Sequence, residues 1–258
     1  MRLMLPVIPI LAFLLLASAS AVAMVGGAPA AEPSLARHLV LIVGSRGTSC
    51  TGTAIARDLV LTAAHCVLPG ADYKLVEFDV SRQPTLKDTM TVARHPQFDL
   101  NTLLGHRATA DVALIKLAVP LGASFAPAPL AGPRQPVVPG DAFVVVGYGL
   151  TVRGDGKSGG TIRAATLVAT GQPGSLQIRL VDAATRGDTA GLGACTGDSG
   201  APVFDQTGGR PAVIGVVSWS TGPKLAAGCG GLTGVTPLAR YQDWIIGEAT
   251  RMGSPLGR

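Results

Sequence analysis

Three short stretches carry side chains that together could do chemistry: Leu61-Thr62-Ala63-Ala64-His65-Cys66, Asp111-Val112-Ala113-Leu114-Ile115-Lys116-Leu117 and Thr196-Gly197-Asp198-Ser199-Gly200-Ala201-Pro202. Taken singly each has an ordinary reading: a histidine ending an apolar run, an acid opening a strand, a hydroxyl in a glycine turn. Together they hold the parts of an acyl-transfer site. A serine hydroxyl is a poor nucleophile until an adjacent base removes its proton. An imidazole does this near neutral pH and can return the proton to a leaving amine. A carboxylate fixes the imidazole tautomer and stabilises the imidazolium. The developing oxyanion needs preorganised donors, which the N–H groups of Gly197 and Ser199 can supply. The set therefore points to His65, Asp111 and Ser199. An ester-hydrolase elbow would read Gly-x-Ser-x-Gly with its histidine last. Here the histidine comes first, and Asp198 precedes the serine.

The elements that must position these residues are short strands. The chain has 258 residues, 47% hydrophobic and 14% charged, enough to bury a core and too apolar for disorder. Its 34 Gly and 19 Pro follow no repeat, as in an all-β chain rich in tight turns. Twelve apolar runs, from His38–Gly44 to Gly234–Thr236, are separated by turn signals, which predicts a β-barrel or sandwich. Pro120–Asp141, rich in Pro, Ala and Gly, reads as a linker between two halves. The clearest helix pattern comes last: from Pro237 to about Met252, Leu238, Tyr241, Trp244 and Ile245 fall on one side.

The first 23 residues read as an export signal. Arg2 is followed by an apolar run, Leu3 to Leu16, and then by two small-x-small sites ending at Ala19 and Ala23. An uncleaved anchor is the alternative, since the run of low polarity continues to Val25. Removal leaves residues 24–258 outside the cytoplasm, extracellular or periplasmic, with no membrane contact. The net charge of +5 is spread singly and aromatics are only 4%, which excludes the clustered basic surface that nucleic-acid binding needs. Cys50, Cys66, Cys195 and Cys229 allow three disulfide pairings, and none has the CxxC spacing of a zinc or redox site. No metal, nucleotide or organic cofactor is suggested.

In this order and spacing, TAAHC, DVALIKL and GDSGAP resemble the trypsin/chymotrypsin (S1) family of serine endopeptidases. Met24-Val25-Gly26-Gly27 resembles the family's mature N-terminus, Val146-Gly147-Tyr148-Gly149 its Gly-Trp-Gly segment, and Ser218-Trp219-Ser220 its Ser-Trp-Gly strand. The resemblance implies two six-stranded antiparallel β-barrels followed by a C-terminal α-helix. The first barrel (about 38–120) would hold His65 and Asp111, the second (about 142–236) Ser199, with the site between them. It implies disulfides Cys50–Cys66 and Cys195–Cys229, a hydrogen bond from Ser218 to Asp111, and pairing of a free Met24 amine with Asp198. It also implies a monomer acting on protein or peptide substrates; any inhibitor partner is undefined.

The sequence departs from the family where substrate is selected. Gly193 stands at the pocket floor, where trypsin-like members carry Asp. An unpaired ammonium there would cost several kcal/mol, so Gly193, Ala194 and Gly234 predict an apolar pocket, with Ser218, Trp219 and Ser220 along one wall. Asp182 or Asp188 would overturn this by reaching in. Tyr148 replaces Trp, Ala201 and Ser220 replace Gly, Thr221–Gly228 is long, and Leu150–Ala194 lacks cysteine. The alternative function is a catalytically silent relative that binds peptides without cutting them. Such proteins usually lack a triad residue, and this chain keeps all three.

Overall fold

The computed structural model describes residues 24–78, 81, 83–132, 136–171 and 176–257. The leader, residues 1–23, and the last two residues of the expected strand Tyr73–Val80 lie outside them.

The first six strands are β1 (Leu39–Gly44), β2 (Ser49–Ala56), β3 (Leu59–Thr62), β4 (Tyr73–Phe78), β5 (Pro84–Arg94) and β6 (Ala113–Leu117). They close in the order β1-β2-β3-β6-β5-β4, every pairing antiparallel. The next six, β7 (Ala142–Gly147), β8 (Arg163–Ala169), β9 (Ile178–Val181), β10 (Pro202–Asp205), β11 (Ala212–Ser220) and β12 (Thr233–Pro237), close in the order β10-β11-β12-β9-β8-β7. Closure gives every strand a neighbour on both sides over at least part of its length.

Side-chain alternation explains why the strands read as nearly continuous apolar runs. Val40, Ile42, Val60 and Ile115 point into the first barrel. Phe143, Val145, Leu167 and Leu180 fill the second. Their sequence neighbours Leu39, Leu59, Leu61, Leu114 and Val146 face the other way and form a third apolar layer between the barrels, with Phe204 and Val216. A strand buried on both faces has no polar face to show.

Helix α1 (Pro33–Ala36) and helix α2 (Leu100–Leu104) are single turns that the sequence pattern does not announce. Helix α3 (Gln242–Arg251) is shorter than expected because Leu238–Arg240 forms a separate 3-10 turn. Its Ile245 and Ala249 are fully buried in the inter-barrel layer. Beyond it, Ser254 Oγ donates to Asp58 Oδ1 (2.6 Å), and Lys116 Nζ reaches both Ser254 Oγ and Asp58 Oδ2 at 2.5 Å, clamping the chain end to the first barrel. Among the described residues no helix is long and apolar enough to cross a membrane. Both disulfides, Cys50–Cys66 and Cys195–Cys229, are formed, and each contributes about 3 kcal/mol by restricting the unfolded chain.

Candidate active site

His65 sits in a single 3-10 turn, Ala64–Val67, directly after β3. Buried Ala63, Ala64 and Cys66 flank it and pack the turn onto the first-barrel core. Asp111 lies two residues before β6 and is fully buried. Its Oδ2 accepts from His65 Nδ1 (2.8 Å) and from Ser218 Oγ (2.5 Å), and its Oδ1 accepts from the His65 backbone N–H (2.9 Å). A carboxylate with three donors is held in one orientation, and its hold on Nδ1 leaves Nε2 as the ring's acceptor. Ser218 belongs to β11 of the second barrel, so Asp111 also ties the barrels together at the site.

Ser199 is half-buried in the turn between Cys195 and Gly200. Across the interface stands Thr51 of β2, which sequence reasoning did not single out. Its N–H donates to Ser199 O (2.8 Å), its hydroxyl donates to Gly197 O (2.8 Å) and accepts from Tyr148 N–H (3.0 Å), and its own carbonyl accepts from Thr62 Oγ1 (2.9 Å). A buried threonine in a strand looks like ordinary β-propensity; the only signal was its place next to Cys50. Thr51→Val removes the hydroxyl and leaves Gly197 O and Tyr148 N–H buried and unpaired, which should cost about 2 kcal/mol. A fall in Tm of roughly 4–8 °C is expected, with Thr51→Ser close to wild type. An unchanged Tm for the valine variant would show that this hydroxyl does not hold the loop.

The N–H of Asp198 is spent on Cys195 O (3.0 Å), whereas among the described residues the N–H groups of Gly197 and Ser199 bind no protein acceptor. His65, Ser199, Gly197, Trp219 and Ser220 line one cleft of about 430 Å³, whose far wall is Gly47–Cys50. Cys50, His65 and Cys66 cluster closely, but the two sulfurs are joined in a disulfide and offer no thiolate to a metal.

Asp198 is fully buried. It accepts from Gly149 N–H (2.8 Å) and Cys195 N–H (2.9 Å), and Gly149 must be glycine because a Cβ there would fall 2.3 Å from the carboxylate. Burial pushes its carboxyl up to about 7, against the pull of those two N–H bonds. Met24 is fully buried in the second-barrel core, and Val25 bridges Gly193. Gly193 and Ala194 are buried behind the cleft, Ala194 N–H donating to buried Thr233 Oγ1 (3.1 Å). Gly234 lies beneath the Trp219 ring and not along the cleft. Asp182 is held within its own loop by the N–H groups of Ala184 and Leu192.

Two closed six-stranded barrels meeting at a cleft define the class of two-barrel serine proteases. Residues 24–245 match the family described as Trypsin. The chain is 30% identical over 229 residues to a snake venom serine protease, rhinocerase 4 of Bitis rhinoceros, covering 85% of this chain and 86% of that one. It is 28% identical to human kallikrein-11 (76% and 70% covered) and 28% identical to trypsin of Phaedon cochleariae (77% and 78%). The atomic-resolution structure of HBP superposes with a TM-score of 0.68 at 24% identity, over 88% of this chain and 97% of that one, a likeness of fold. The chain belongs to the trypsin family and is a serine endopeptidase.

Proposed function

We propose that the chain is a secreted endopeptidase that cleaves peptide bonds through an acyl-enzyme on Ser199, with His65 as base and Asp111 as its orienting carboxylate. The observation that carries this reading is the buried Asp111 holding His65 Nδ1 at 2.8 Å, with His65 and Ser199 lining the same cleft. His65 Nε2 takes the Ser199 proton as Oγ attacks the scissile carbonyl. The oxyanion is met by the N–H groups of Gly197 and Ser199, and His65 then protonates the departing amine. Water, deprotonated by the same nitrogen, hydrolyses the ester and restores the serine. Gly193, Ala194 and the Asp182 turned into its own loop support an apolar primary pocket. Digestion of a peptide library should give cuts after apolar residues. Cuts clustered after Arg and Lys would refute this pocket.

Export is supported by the residue pattern of the leader, by two disulfides, which suit an oxidising compartment, and by a venom relative. Cleavage after Ala23 would free the Met24 amine to pair with Asp198, so that the enzyme is active on export, with no separate zymogen step. Cleavage after Ala19 would instead leave Ser20–Ala23 as a propeptide.

This pairing has a pH signature. In a form extended by Ser20–Ala23, the Asp198 carboxyl is raised from 3.8 to about 7 on folding, so the folded state holds its proton more tightly than the unfolded state does. Stability from this group is therefore greatest below about pH 4, is lost as pH rises toward 7, and is flat above. In the form beginning at Met24 the amine favours the ionised carboxylate and the loss disappears. Urea midpoints at pH 4.5 and 7 should show the Met24 form gaining on the extended form by a few kcal/mol. Parallel pH profiles for the two forms would contradict the pairing.

A further inference from the structure

Trp219, Gly234 and Arg179 are register partners across β11, β12 and β9, so their side chains share one face of the sheet. A Cβ on Gly234 would lie 2.1 Å from the indole; without it, the ring lies across β12 toward Arg179, whose Cζ is 5.5 Å from the ring centroid. His106, just past α2, stacks on the indole at 4.8 Å and 15°. It holds a left-handed backbone (φ +51°), a conformation that costs a non-glycine residue on the order of 1 kcal/mol and that the stack helps offset. Trp219 is left 8% exposed, and its Nε1–H is buried with no acceptor among the described residues. The half-buried Arg179 bonds only the neutral Gln177 Oε1 (3.2 Å), and no carboxylate pairs with it among the described residues. A partly buried guanidinium without an anion and a buried indole N–H without an acceptor flank one ring. The guanidinium, which keeps some exposure, would be satisfied by a carboxylate, with the indole face as its platform.

The adjoining strand edge brings such a group within reach. β10 pairs with β11 only as far as Val216, so among the described residues Ser218–Ser220 has β12 on one side and no strand on the other. An extended peptide can add to that open edge, alternate side chains facing Trp219. We propose that Arg179 and Trp219 form a recognition site for an acidic side chain of the substrate, on the Trp219 side of the scissile bond and away from Gly47–Cys50. The site rests on the peptidase reading for its substrate, but not for its test.

The test is binding, read without catalysis. Ser199→Ala protein is titrated with peptide pairs that differ only by Glu or Gln, placed in turn at each position on either side of the bond. At one position on the Trp219 side the Glu peptide should bind about tenfold tighter. The ratio should shrink in 0.5 M salt, approach one in an added Arg179→Gln background, and invert for Glu against Lys with Arg179→Glu. Each comparison is a ratio within one protein, so a loss of stability common to both peptides cancels. Equal binding of Glu and Gln peptides at every position, or a preference that survives Arg179→Gln, would overturn the site. Binding preference without cleavage by the Ser199 protein would sink the peptidase reading and leave the site standing.

Discussion

Replacing Ser199 by alanine is expected to lower kcat for peptide hydrolysis on the order of 10⁶-fold, with KM and Tm close to wild type. The hydroxyl is the only atom lost. It lies half-exposed at the cleft, so no buried cavity opens and no buried partner is stranded. The backbone N–H groups at 197 and 199 remain to polarise a carbonyl, and the Thr51 bonds to Gly197 O and Ser199 O remain to hold them. What disappears is the nucleophile that His65 Nε2 would deprotonate. The remaining rate should be that of water attack in the same cleft. A variant retaining more than about a hundredth of wild-type kcat would show that another group forms the acyl bond, since a triad nucleophile carries far more than that.

Asp111→Asn should lower kcat by about 10⁴-fold, at nearly constant volume. The carboxylate oxygens of Asp111 accept from three donors: His65 Nδ1, His65 N and Ser218 Oγ. An asparagine has one oxygen to offer, and its NH₂ group must face at least one of those donors. If it faces the ring, Nδ1 must become the acceptor, and the proton moves to Nε2. Nε2–H cannot take the Ser199 proton. The two tautomers are distinguished by ¹⁵N shifts of the imidazole: Nδ1 protonated in wild type, Nε2 in the variant. A loss below tenfold, with Nδ1 still protonated, would mean that the carboxylate is dispensable for orienting the ring. Because the pair of barrels also meets at this residue, a lower Tm should accompany the kinetic loss.

The strands were legible because burial on both faces makes LVLIVG, LVLT, ALIKL and AFVVVG unmistakable as core segments. Strand ends were less so: β2 begins at Ser49 and β11 runs on to Ser220, where the residues are small or polar and only pairing defines them. Helix α2 escaped because it buries only Leu103 and shows no apolar face. Its readable sign was the Asp99 cap, whose Oδ1 accepts from Thr102 N–H (2.6 Å). The residue types of the site stood out in three motifs, and the disulfide pairing followed from family resemblance, whereas cysteine arithmetic left three choices open. Thr51 was invisible because its role lies in contacts with residues about a hundred or more positions away. The Trp219–Gly234–Arg179 row needs the register of three strands, one of them separated by a long loop, and no local pattern encodes that.

The central claim is that Ser199 is the nucleophile activated by His65. Its most direct test is peptide mapping after reaction with a fluorophosphonate, which forms a stable adduct only with an activated hydroxyl. A single adduct on Ser199, in the peptide carrying Gly197 and Asp198, is the expected result, with labelling abolished by Ser199→Ala and strongly slowed by Asp111→Asn. Labelling of a different serine, or none on a folded protein beginning at Met24, would contradict the account.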